Sequence, residues 1–270
     1  MDYELYLILK DIVKQLYGDN VLYSKFYVKL IKKESDKTVG RYNSKNKTLE
    51  ICNLSRSGKS IFLTALHLLA HHVDMIKRRE TKHDRDFYVI YKGILLAAMS
   101  MGFVSVQDFI DTGSEVSDVR NLCKYVGNGW DFELTNYAKN IVFIKIYNAF
   151  LLKDILKSSG YRYDGLEEVW YKRVERNVLS EEKKLLISTK ISASNVKLCR
   201  ACDFEIDTIY YICIKNAFEY KEQFKQCGYR YNGYGIEIKV NKRNKVGYEY
   251  LSNFPYDRGQ LIRFFWVRLH

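Results

Sequence analysis

Proline occurs once in 270 residues, so few loops are held rigid by a fixed φ. No run of 18 apolar residues is present, which excludes a membrane-spanning helix of the usual kind. The opening stretch MDYELYLILKDIVKQLYG carries acids among its apolar residues and reads as neither a signal peptide nor an anchor. Six unevenly spaced cysteines supply no obvious disulfide framework and are compatible with reduced thiols. A cytoplasmic location is therefore expected. Disorder is excluded by what is abundant: 47% of residues are hydrophobic and 15% aromatic, ample for a large core. The bias toward Lys, Ile, Asn and Tyr fits an AT-rich genome.

Acids are outnumbered by bases, 32 to 44, which leaves a formal net charge of +12. Lys and Arg gain affinity for a phosphate backbone by releasing its counterions, so the surplus favours polyanionic partners. Nucleic acid, or an acidic or nucleic-acid-binding protein, is the expected partner, with solubility alone as the plainer explanation. No membrane partner is expected.

Histidine is scarce, yet four of the five fall within Leu66 to His83, LHLLAHHVDMIKRRETKH. His67 and His71 are spaced i, i+4 and share a helix face, and His83 follows a short polar break; this is metal-ligand spacing. His72 points about a hundred degrees away from His71 and reads as a bystander. Buried without a metal, His67 and His71 would each need two hydrogen-bond partners. A metal satisfies both and releases their second nitrogens to carboxylates such as Asp74. In an H-E-x-x-H zinc hydrolase the Glu after the first His takes the proton from metal-bound water. Leu68 holds that position here and accepts no proton. The pattern predicts zinc on His67, His71 and His83 and no catalytic residue; a decayed site with satisfied histidines is the alternative.

The run LHLLAHHVDMIKRRETKHDRDFYVIYKGILLAAMSMG resembles the core of SprT-like zinc metalloprotease domains, whose pattern is LLHELAHxxD, a variable turn, then HGxxF or HDxxFY. On that pattern His67, His71 and His83 match the three zinc ligands, and Asp74, Asp84, Phe87 and Tyr88 match flanking positions. Leu68 departs from it at the catalytic glutamate. The resemblance covers roughly residues 1–104. It implies a zincin-like domain made of a helix, a small antiparallel sheet and two metal-bearing helices, and it counts against peptidase activity.

Local patterning agrees with that order. Tyr3, Leu7, Ile8, Ile12, Leu16 and Tyr17 share one side of a predicted helix that stops at Gly18. Three strands are predicted, over Val21 to Lys32, Thr38 to Asn43 and Thr48 to Asn53. Helices are predicted from Ser60 to Arg78, with Ser57 or Ser60 as cap, and from Asp84 to Met101. The segment Ser55 to Ser60 ends in GKS, but Asn53 stands where a phosphate loop needs its first Gly, so no nucleotide site is assigned. Lys77, Arg78, Arg79, Lys82 and Arg85 cluster between the two helices, either as a solvated face or as a cationic rim that steers an acidic partner. Residues 105–138 read as a helical linker region, with Ser105 as a cap and a second helix within Ser114 to Val126.

Residues 139–270 contain an internal repeat at a constant offset of 68. Asn148-Ala149-Phe150 and Gly160-Tyr161-Arg162-Tyr163 match Asn216-Ala217-Phe218 and Gly228-Tyr229-Arg230-Tyr231. The copies, about 140–176 and 208–244, each read as strand, short helix and two strands, a duplicated β-α-β-β module, and Leu261 to Leu269 reads as a final strand. The expected fold class is thus α+β. The frame has a loose resemblance to short strand-helix-strand modules of plasmid and phage DNA-processing proteins, with Trp170-Tyr171 as the following aromatic pair. Tyr161, Arg162, Tyr163, Tyr229, Arg230 and Tyr231 are candidates for stacking on bases and pairing with phosphates, or for packing between sheet and helix. Cys199 and Cys202 form half of a zinc ribbon, with Cys213 and Cys227 isolated.

Three functions remain open at this point. The first is a catalytically degenerate SprT-like protein that binds zinc and recognises nucleic acid or a nucleic-acid enzyme, in the style of a phage or mobile-element inhibitor of a host defence nuclease. The second is an active metallopeptidase on DNA-bound proteins, its base supplied by Glu80, Asp74 or a more distant carboxylate. The third is a metal-free scaffold.

Overall fold

The computed structural model describes residues 2–31, 38–52, 56–112, 116–164, 168–200, 202, 204–214, 221–226, 230–231, 236–240 and 259–269. Helix α1 (Asp2–Tyr17) ends at Gly18, whose φ of 64° lies where a side chain would strain the backbone. The stretch expected as one long strand is split. Asn20 accepts a hydrogen bond from the Leu22 amide and starts a helical turn, α2 (Val21–Ser24), before β1 (Tyr27–Leu30) begins.

With β2 (Gly40–Asn43) and β3 (Thr48–Ile51), β1 forms a three-stranded sheet in the order β1-β3-β2. The sheet is mixed rather than antiparallel. β2 and β3 make a hairpin, and β1 joins the far edge of β3 in parallel. That puts β3 in the centre, where all four of its residues are buried.

Helix α3 (Gly58–Arg78) packs on this sheet. The Ser57 hydroxyl accepts from the Ser60 amide to cap its start, and Arg79, left-handed at φ 63°, returns its amide to the Met75 carbonyl to close its end. Asp84 caps α4 (Arg85–Ser100) through the Phe87 amide. Ile8 and Ile12, Leu49 and Ile51, Leu66, Leu69 and Val73, and Ile94 and Leu95 meet in one core. Full burial of each such side chain is worth ~1.5–3 kcal/mol. The region expected as a linker forms α5 (Val106–Asp111), with a Ser105–Asp108 capping box, and α6 (Val116–Val126). Its Phe109 and Leu122 join the same core.

Helix α7 (Tyr137–Asn140) leads into β4 (Ile141–Tyr147), a strand buried on both sides. Period-two alternation sends Ile141 and Phe143 into the first core and Val142, Ile144 and Ile146 into a second. After α8 (Lys153–Ser158) come β5 (Arg162–Asp164) and β6 (Val169–Glu175), then α9 (Leu179–Ser188) and β7 (Val196–Arg200). These strands form an antiparallel sheet in the order β5-β6-β4-β7, with Leu156 and Leu186 from the helices closing the second core. Ion pairs and rings also tie α1 to this sheet. Asp11 accepts from Tyr137 and, at 2.6 Å, from Arg173, while the Arg162 guanidinium lies 3.4 Å over the Tyr3 ring.

The remaining elements are β8 (Phe204–Ile214), α10 (Lys221–Gln226), β9 (Arg230–Tyr231), β10 (Ile236–Val240) and β11 (Gly259–Leu269). Their sheet has the order β9-β10-β8-β11, all antiparallel. The fold is mixed α+β with small sheets. Among the described residues no helix is long and apolar enough to cross a membrane.

Candidate metal centre

Capped at both ends, α3 is regular across His67 and His71, and both rings emerge on one face. The cap at Asp84 fixes where α4 starts and so where His83 enters. The three rings meet through the same nitrogen: Nε2 of His67 lies 3.0 Å from Nε2 of His83 and 3.1 Å from Nε2 of His71. A ring nitrogen offers one proton or one lone pair, so His67 Nε2 cannot complete a proper hydrogen bond with both neighbours. A cation among three lone pairs satisfies all three. Tetrahedral zinc with Zn–N near 2.0–2.1 Å sets its nitrogens about 3.3 Å apart, so the cluster fits such an ion with a small outward shift. Among the described residues these three histidines are the group close enough to hold a metal ion.

Burial disfavours the charged form of two of the rings. It pushes His71 down to about 3, with His67 and His83 adding to the effect, and partial burial of its ring lowers the more exposed His83 as well. The far nitrogens are also engaged. Nδ1 of His71 lies 2.6 Å from the Thr81 hydroxyl. Nδ1 of His67 lies 2.7 Å from an Asp118 carboxylate oxygen, at ion-pair distance but off the line of a hydrogen bond. Asp118, on α6, is a neighbour of the cluster that sequence reasoning missed. Its neighbours carry no motif, and only the packing of α6 on α4 brings it to the histidines.

Asp74, expected beside the imidazoles, is wholly buried elsewhere. It takes two hydrogen bonds from Arg78, at 2.7 and 2.8 Å, and Arg78 also grips Asp84 at 2.8 and 2.9 Å. That clamp joins the last turn of α3 to the first of α4 and holds the Asp84 carboxyl down to about 2. It also removes Arg78 from the expected rim. Lys77, Arg79, Lys82 and Arg85 are exposed, with Lys82 paired to Glu80 and the Lys77 ammonium 5.0 Å from the centre of the Tyr17 ring. His72 stands outside the cluster, on the other flank of α3. It is completely buried, with Nδ1 3.0 Å from the Tyr42 hydroxyl and Nε2 3.1 Å from the Tyr23 carbonyl, and burial pushes it down to about 4.

The imidazoles open on a cavity of about 470 Å³. β2, the edge of its sheet, forms one wall, and Ser117, Asp118 and Asn121 of α6 form the other. Leu68 lines it at 3% exposure. β2 comes close because residue 40 is glycine. A Cβ there would stand 2.9 Å from Thr64 Cγ2 and 3.0 Å from Leu68 Cδ1, inside contact distance.

The repeat candidates separate. Tyr161 is buried in the second core with its hydroxyl 3.0 Å from Glu182, which takes it off the surface. Arg162 is engaged by Tyr3, and Tyr163 is partly exposed between Phe150 and Trp170. Arg230 and Tyr231 lie on β9, and Tyr229 falls outside the described residues. Cys199 is buried on β7 and gathers no ligand set with Cys202 among the described residues. Compared with family models, curated proteins and solved structures, the chain matches none.

Proposed function

We propose that the chain is a zinc-binding recognition protein, built on a SprT-like, zincin-like unit that has lost its catalytic base. It acts by contact on nucleic acid or a nucleic-acid enzyme, in the manner of a phage or mobile-element inhibitor of a defence nuclease. The observation that carries this reading is Leu68, apolar and packed into the cavity wall beside three convergent imidazoles. Zinc held there ties α3 to the start of α4 and adds its binding free energy to folding. Of the displaced bases weighed for a peptidase reading, Asp74 is bound to Arg78 and Glu80 to Lys82. The edge of β2 beside the metal suits an extended partner segment, which would add as a further strand.

Two features support the nucleic-acid side. Net charge is +12, and Lys77, Arg79, Lys82 and Arg85 are exposed around the turn between α3 and α4. The equal strand orders β5-β6-β4-β7 and β9-β10-β8-β11, with α8 and α10 68 positions apart, support a duplicated β-α-β-β module.

Metal analysis of protein purified without added zinc tests the first part; about one zinc per chain, lost in His83→Ala, is expected. Peptidase assays should be silent for the wild type, and turnover that disappears in His67→Ala would overturn the reading. Affinity for DNA and RNA should fall steeply with salt; a flat response removes the phosphate contacts.

A further inference from the structure

We infer that Asp118 is a positioning residue for the metal centre: held by Tyr88, it fixes the His67 ring so that its Nε2 lone pair faces the ion. The inference rests on the zinc reading above and adds the residue that tunes it. A histidine that binds metal through Nε2 must carry its proton on Nδ1, and a carboxylate beside Nδ1 selects that tautomer and raises the basicity of the other nitrogen. Asp118 Oδ2 stands 2.7 Å from His67 Nδ1. Asp118 is itself 5% exposed, so its charge faces His67 in a poorly solvated setting.

The other carboxylate oxygen is held as well. Oδ1 accepts from the Tyr88 hydroxyl at 3.1 Å, and Asn121 donates its amide to that hydroxyl at 2.9 Å. Burial pushes the Tyr88 phenol up to about 12, so it remains a donor. Asn121 donates to Tyr88 and Tyr88 to Asp118, whose other oxygen stands beside His67 Nδ1, so the carboxylate is held across α6 and α4. His71 has a neutral counterpart in Thr81, whose hydroxyl stands 2.6 Å from Nδ1. His67, whose Nε2 lies within 3.1 Å of Nε2 of both other rings, is the one that faces a carboxylate.

The experiment combines two readouts on the full chain. Long-range ¹H–¹⁵N spectra of the metal-free protein read the His67 tautomer, and competition with a chromophoric chelator reads the zinc affinity. The wild type should show His67 protonated on Nδ1. Asp118→Asn, nearly the same shape, should weaken zinc ~10–100-fold and shift the Co(II) absorption spectrum, without lowering the metal-free melting temperature to match. Tyr88→Phe, which leaves Asp118 in place, should give a smaller loss in the same direction. Unchanged affinity in Asp118→Asn overturns the inference. If that variant does not fold, a wild-type His67 protonated on Nε2 does the same. A wild type that takes no zinc, with His67 still protonated on Nδ1, defeats the zinc reading instead.

Discussion

His71 and His72 are consecutive, yet the two flanks of α3 treat them oppositely. Toward the sheet, His72 is sealed, and each ring nitrogen meets one oxygen that complements it. Toward the cavity, His67, His71 and His83 crowd nitrogen against nitrogen. A hydrogen-bonded imidazole needs one donor and one acceptor, whereas three converging ring nitrogens are close enough to hold a cation. Chemical type does not separate the two roles; what the far side of the helix supplies does.

The sharpest way to break this comparison is to delete one ring from each flank. His83→Ala should weaken zinc by more than the ~10–100-fold typical of an outer-sphere partner, read by chelator competition, and change metal-free stability little because His83 is exposed. His72→Ala should do the reverse. It leaves a cavity and orphans the Tyr42 hydroxyl and the Tyr23 carbonyl, at a cost of ~2–4 kcal/mol in denaturant unfolding, with zinc stoichiometry unchanged. Loss of zinc in the folded His72 variant would show that the flanks are not independent.

Gly40→Ala probes the wall between them. The new methyl group meets Thr64 and Leu68 at about 3 Å and pushes β2 off α3, which should destabilise by ~1–3 kcal/mol. Because β2 carries Tyr42, the His72 side should loosen first, seen as faster amide exchange in β2.

The smallest effect concerns a sealed group far from the cavity. Burial and the neighbouring Glu182 raise the pKa of Tyr161 above its ordinary value of 10.0. The folded state therefore keeps a proton that the unfolded chain loses. Stability from this group is complete below pH 10 and declines as pH rises beyond it. Tyr161→Phe should flatten that alkaline limb in melts recorded from pH 9 to 11, and an unaltered slope would place the titration elsewhere.

Legibility in the sequence follows the same division. The i, i+4 histidines and the ends of α3 and α4 were readable because they depend on spacing and caps within one helix or one turn. So was the strand-helix-strand order of β4, α8 and β5, which the pattern at Asn148 to Tyr163 carries locally. Asp118 was not readable, since it reaches His67 only through the packing of α6 on α4, across 51 positions. Asp74 misled for a related reason. It lies on the same helix as the histidines, but Arg78, one turn on, claims it. The split of the first strand by α2 was signalled by Asn20, a strong cap that the β-forming run after it outweighed.

The double-sided burial of β4 bears on how the protein is made. The core beneath the histidines also contains Tyr171 and Cys199, from strands that flank β4. A ribosome adding ~5–20 residues per second delivers Cys199 about 5–25 s after His83. During that interval the nascent helices α3 and α4 lack part of their apolar cover, and shortened chains that stop before β7 should depend on chaperones in a way the full-length protein does not.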